Sequence, residues 1–333
     1  MQAIRVHPAP PSSTPYSSAN PAPSSALHLD QVPIPRPSKP GELLVRIHAS
    51  TIIRDCLTWP ETYKHTYTIP GHDFAGTVTE TFSATSPFKP GDEVFGMVSA
   101  NRGSAWAQYA IVLENEAALK PRSLGWAESA AVPLSAQTAY EALFQHAGIP
   151  SPVSGRAKGK QLGMSLLVTG AAGGVGIYVV QLAASAGVHV VAATSSNERN
   201  ERFLRELGAD EVVEYAALGE GRKFNVIVDM LGGELLEKCW GYVEDKGVLV
   251  SVESGAYDFV EEHRKLGIVK EGVKALFFIV EGQSKALQGL AELADRGALR
   301  SFVANSFPLD KAKEAYEYAH ERFDGRGKIV LTV

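Results

Sequence analysis

The sequence predicts an α/β protein: a doubly wound parallel sheet joined to a second, β-rich domain. Three observations carry this expectation. Residues 165–194 (SLLVTGAAGGVGIYVVQLAASAGVHVVAAT) read as strand, glycine turn, helix and strand. Strand-like and helix-like stretches keep alternating beyond residue 195, as a mostly parallel sheet covered by helices demands. Residues 1 to about 130 carry short strand-like runs broken by Pro and Gly, as in a small irregular barrel.

Taken in order, residues 1–6 are strand-like, and 8–23, rich in Pro, Ser and Ala, form an irregular surface loop, not a targeting peptide. Residues 43–49 (LLVRIHA) alternate, and 71–78 (GHDFAGTV) lead into another strand. Pro90-Gly91-Asp92 turns the chain before a strand at 93–97, and 105–112 is a further candidate. Residues 127–147 are helical in pattern, and 148–163 make a basic, glycine-rich connection. In the central unit the strands are 165–169 and 188–193, and the helix between them carries Ile177, Val180 and Ala184 and stops at Gly187. Ser195-Ser196-Asn197-Glu198 reads as a capping box for a helix that runs to Leu207, with Gly208 as its stop. Strands follow at 211–215, 224–230, 247–252 and 275–280, then a helix at 284–296. Residues 299–333 change character again: a strand, a helix from Asp310 and a last strand at 328–333.

The 333 residues suffice for two domains, and the formal net charge of −5 has no long run of one sign, which argues against nucleic acid as the main partner. Cys56 and Cys239 are the only cysteines, too few for a disulfide framework, so a reducing compartment, the cytoplasm, is expected. No apolar span has membrane length, so no membrane partner is expected.

The glycine turn has the chemistry of a dinucleotide site. Ala171, Gly173 and Gly176 stand at the three glycine positions of G-x-G-x-x-G. A pyrophosphate must come close to the backbone of Ala172, Gly173, Gly174 and Val175 at the helix N-terminus, where side chains would block it. Enzymes using NAD usually place an acidic residue at the end of the second strand to hold the ribose hydroxyls. Here that strand ends in Thr194-Ser195-Ser196, and Arg199 follows one helical turn on. Hydroxyls and a cation suit the 2′-phosphate of NADPH, which a carboxylate would repel. Ser195 as a plain helix cap and Arg199 as a solvated charge are the alternative readings.

The segments RDCLTWPETY (54–63), GHDFAGTV (71–78), KPGDEVFGM (89–97), VPLSAQTAYEAL (132–143), LVTGAAGGVG (167–176), LGADEVVEY (207–215), FNVIVDMLGG (224–233) and GKIVLTV (327–333) occur in order along the chain. Together they resemble the medium-chain dehydrogenase/reductase superfamily, in its zinc-independent, quinone-oxidoreductase-like branch. The resemblance implies a Rossmann domain at 131–282 and a GroES-like β-barrel domain formed by 1–130 and 283–333. It implies further cofactor residues: Thr138 next to the nicotinamide, Tyr215 near the adenosine phosphate, Leu231 and Val252 with Asp229 at strand ends, and Phe278 to Val280 behind the nicotinamide. Asp55 and Tyr63 match positions that line the substrate cleft. Tyr63 is either a proton donor or cleft wall, and Asp55 either catalytic or a turn residue. His72 matches a zinc-binding histidine, but Ile52 stands where zinc-dependent relatives have a cysteine, and the lobe of four closely spaced cysteines is missing. No metal is expected. The implied activity is NADPH-dependent reduction of a small-molecule substrate, a quinone or an α,β-unsaturated carbonyl compound, by a homodimer. A 2-enoyl thioester reductase and a non-catalytic NADPH-binding protein are the alternatives.

Overall fold

The computed structural model describes residues 1–152, 163–321, 323 and 325–333. The connection expected at 148–163 therefore lies largely outside the described residues. The chain divides into two compact units, Met1–Leu134 with Glu281–Val333, and Ser135–Val280.

The first unit opens with β1 (Gln2–Val6), which pairs antiparallel with β2 (Leu27–Gln31) as a separate two-stranded sheet. Then come β3 (Glu42–Thr51), β4 (Asp73–Thr81), β5 (Glu93–Met97), β6 (Tyr109–Leu113), β7 (Ala117–Leu119) and the short helix α1 (Trp126–Ala130). The chain next forms α2 (Pro133–Tyr140) and a π-helical turn at Glu141–His146.

The second unit continues with β8 (Ser165–Val168), α3 (Gly176–Ser185), β9 (His189–Thr194), α4 (Asn197–Glu206) and β10 (Glu211–Glu214). It ends with β11 (Phe224–Asp229), α5 (Gly233–Tyr242), β12 (Val243–Ser251), α6 (Phe259–Lys265) and β13 (Lys274–Phe277). The return to the first unit brings α7 (Ser284–Asp295), β14 (Val303–Pro308), α8 (Ala312–His320) and β15 (Lys328–Thr332).

In the second unit the six strands lie in the order β10-β9-β8-β11-β12-β13, every pair parallel. The order reverses between β8 and β11, so the crevice for a ligand falls at the carboxyl ends of those two strands. Leu166, Leu167, Val168, Val190, Val191, Ile227 and Val228 are fully buried, as strands covered on both faces must be. In the first unit, β14-β15-β3-β4-β5-β7 form a sheet, and β6 pairs with β3. Only β14 and β15 pair in parallel there. Leu43, Val45, Ile47, Phe74, Val94 and Val112 fill its interior.

Several boundaries depart from the expectation. The single helix at 127–147 is broken, because Pro133 lacks an amide proton and fits only in a first turn. The strand at 105–112 begins only at Tyr109. Before it, the Trp106 indole donates to the Thr51 carbonyl and Ala107 makes an isolated bridge to Ala3. The cap of α4 is Ser196, not Ser195. Thr194 still pairs with Glu214 in the ladder, Ser195 is used in the turn, and the Ser196 hydroxyl accepts from the Arg199 amide at 3.4 Å. The strand at 275–280 ends at Phe277, so Phe278 and Val280 lie beyond it. Helices α5 and α6 and strands β2 and β7 answer to no expectation from the sequence.

Candidate functional site

Gly170 leaves β8 with φ of +61°, a left-handed conformation that glycine tolerates freely. A methyl on Gly176 would come within 2.3 Å of the Gly170 carbonyl oxygen, so the start of α3 packs directly on the strand end. A methyl on Gly173 would meet only that same oxygen, at 3.1 Å. The amides of Ala171 and Gly173 donate within the fold, to Ala193 and Gly170. The amides of Ala172, Gly174 and Val175 have no acceptor among the described residues. Three unanswered donors ahead of a helix, with Gly173 exposed between them, fit the pyrophosphate of a dinucleotide.

Tyr215 is brought to this turn. Its half-buried hydroxyl accepts from the Gly170 amide at 3.1 Å, and burial holds its acidity below that of a free phenol. Leu231 lies over Gly170, where an added methyl would touch it at 3.4 Å, and it is 46% exposed. Beneath them Asp229 is fully buried. It accepts from the Thr169 hydroxyl (2.6 Å), the Gly232 amide (2.9 Å) and the Ser251 hydroxyl (3.1 Å), and so ties the ends of β8, β11 and β12 together. The Val252 amide donates to the Asp229 carbonyl. Asp229 is thus an organiser of the crevice and has no surface of its own to offer a ligand.

At the end of β9 the three hydroxyls have different fates. Thr194 is buried and accepts from the Asn200 side-chain amide, Ser195 is exposed, and Ser196 caps α4. Arg199 is half-buried in the first turn of α4. A residue that the sequence did not reveal joins them: Glu214, whose carboxylate accepts from the Asn197 amide at 2.8 Å. Only the register of β10 on β9, invisible in the sequence, puts it there. Thr138 is buried in α2. The π-helical turn after α2 meets the end of β13: the His146 ring lies 4.3 Å from the Phe278 ring, and the Lys274 ammonium donates to the His146 carbonyl at 2.7 Å. Val280 is half-buried.

In the first unit, Asp55 and Tyr63 lie on one segment. The Asp55 carbonyl accepts from the Thr58 amide and hydroxyl, so its backbone is part of a turn. The Tyr63 hydroxyl donates to the Leu57 carbonyl and accepts from the Ala22 amide at 2.8 Å. Its proton is already engaged, and burial raises its pKa, so the geometry speaks against the proton-donor reading. His72 is 5% exposed, its Nδ1 donates to the Val98 carbonyl at 3.1 Å, and burial lowers its pKa. Asp73 accepts from Thr51 and from the Leu134 amide, with Lys328 at 3.7 Å. Ile52 is buried, and no group of three metal-ligating side chains occurs among the described residues. The described residues thus do not assemble the three protein ligands that a catalytic zinc needs.

A parallel sheet with a dinucleotide turn, in one chain with a mostly antiparallel β unit, defines a two-domain dehydrogenase fold. Residues 39–133 match a family model described as alcohol dehydrogenase GroES-like domain, and 207–331 one described as zinc-binding dehydrogenase. A probable zinc-binding oxidoreductase, mitochondrial, of Arthroderma benhamiae is 37% identical over 93% of this chain and 94% of its own length. Quinone-oxidoreductase QR1, chloroplastic, of Triphysaria versicolor is 31% identical over 90% and 92%. The structure of the quinone oxidoreductase from Coxiella burnetii superposes with a TM-score of 0.82 at 24% identity, covering 100% of this chain and 99% of that one. The chain belongs to the medium-chain dehydrogenase/reductase superfamily, in its quinone-oxidoreductase-like branch.

Proposed function

We propose that the protein is an NADPH-dependent, zinc-independent oxidoreductase that reduces a quinone or an α,β-unsaturated carbonyl compound. The observation that carries this reading is the set of unanswered amides at Ala172, Gly174 and Val175. They would hold the pyrophosphate, Leu231 and Val252 would offer apolar surface beside it, and Arg199 would meet the 2′-phosphate. A bound nicotinamide supplies the hydride; the protein binds and orients it. The name of the Triphysaria relative supports a quinone as acceptor. Buried Ile52, which offers no ligand where a thiolate would be needed, supports chemistry without zinc. Two buried free thiols, Cys56 and Cys239, suit a reducing compartment such as the cytoplasm, and no helix among the described residues is long and apolar enough to cross a membrane. A second copy of the chain is the partner we propose, paired along β13.

The test is oxidation of NADPH and of NADH with a panel of quinones, enones and enoyl thioesters, with metal analysis of the same preparation. NADPH turnover with a quinone or enone, in protein free of stoichiometric zinc, is the expected result. Turnover of enoyl thioesters alone would move the assignment to thioester reduction, and one tightly held zinc per chain would refute the metal-free reading.

A further inference from the structure

The carboxylate missing from the end of β9 arrives from the neighbouring strand. Glu214 is the last residue of β10 and stands opposite Thr194, the last residue of β9, in the parallel ladder. Its Oε1 accepts from the amide of Asn197, the first residue of α4, at 2.8 Å. The next amide but one, that of Arg199, is taken by the Ser196 hydroxyl. Tyr215, which follows Glu214, is fixed to the Gly170 amide of the glycine turn. Glu214 is therefore held between two anchored points. It stands beside the end of β9, the strand end where the ribose of a dinucleotide is distinguished from its 2′-phosphate.

We infer that Glu214 is a specificity-determining residue that opposes the 2′-phosphate and limits the preference for NADPH over NADH. The inference rests on the cofactor reading above. A carboxylate at this amide is a built-in anion. A 2′-phosphate brought to the same helix end must share the positive end of α4 with it and bear like-charge repulsion. A 2′-hydroxyl, by contrast, can donate to it. Selectivity is then the difference between attraction by Arg199 and repulsion by Glu214, a form of discrimination in which the repulsive element matters as much as the attractive one.

Glu214→Gln separates charge from shape, because the amide oxygen still accepts from Asn197. Dissociation constants for NADPH and NADH are measured by fluorescence titration, alongside thermal unfolding. The expected result is NADPH affinity higher by about tenfold, with NADH affinity unchanged or slightly weaker and the melting temperature kept. Arg199→Ala should move NADPH affinity the opposite way and spare NADH. Unchanged selectivity in Glu214→Gln, or an equal shift for both cofactors, would overturn the inference and leave Glu214 as a cap of α4. That outcome would leave the NADPH reading standing. Failure of the wild-type protein to bind either dinucleotide would overturn both.

Discussion

Tyr63 shows how much a single hydroxyl decides. As a general acid, its removal would cut turnover by about 10²-fold. As observed, the hydroxyl joins the Leu57 carbonyl to the Ala22 amide, and the ring packs against a cluster that includes Ile52, Cys56, Leu57 and Ala22. Tyr63→Phe should therefore leave turnover within a few-fold of wild type and lower stability by about 1–2 kcal/mol, since two backbone groups lose a partner. Chemical denaturation and steady-state kinetics on the same preparation check both halves, and a collapse of turnover at unchanged stability would restore the catalytic role. The residue type was legible in the sequence; its bonding was not. Ala22 is 41 positions away, and the loop that carries it gives no sign of where it docks.

At the scale of one element, the glycine turn separates two demands that the fingerprint merges. Gly176 lies where a methyl would press on the backbone of Gly170 and Ala171 at 2.3 to 2.7 Å, whereas Gly173 faces open space apart from one oxygen at 3.1 Å. Gly176→Ala should destabilise the fold by about 1–3 kcal/mol through overpacking. Gly173→Ala should leave the melting temperature nearly unchanged and weaken cofactor binding, because its methyl would stand where the phosphate comes closest. Calorimetry and cofactor titration of the two variants distinguish these outcomes; equal stability loss in both would refute the division of roles. The β8-α3-β9 unit was readable because local signals agree there: apolar strands, small turn residues and a glycine stop. Where they disagreed the reading slipped. Ser195 and Ser196 are both competent caps, and only the ladder partner of Thr194 selects the second. Helix α5 has Gly232 as its cap, with no Ser, Thr, Asp or Asn to announce it.

For the molecule as a whole, both domain folds could be read from the chain, but the strand orders could not. That β15 lies between β14 and β3, or that β13 ends the parallel sheet, follows from pairing between residues far apart in sequence. The second of these bears on assembly. Among the described residues β13 leaves one side unpaired, its Ala275, Leu276 and Phe277 are only half-buried, and Ile279 just beyond is 65% exposed. Unprotected apolar edges invite pairing with a copy of themselves. Light scattering at micromolar concentration should give twice the chain mass, and Ile279→Lys should shift the population toward the single chain. A wild-type monomer under those conditions would count against the dimer.

The strand order also sets a timetable for synthesis. Residues 135–280 form one contiguous unit, whereas the other unit is assembled from both sides of it. Strand β15 pairs with β3 on one side and β14 on the other, so that sheet lacks its seam until residues 328–332 have been made. A ribosome adding about 5–20 residues per second needs roughly a quarter of a minute to a minute to travel from β3 to β15. Through that interval β3 can pair with β4 and β6, but the edge of residues 49–51 that β15 takes stays open. The nascent chain thus carries a finished nucleotide-binding sheet beside an unfinished one, and it is the unfinished half that a chaperone would have to shield.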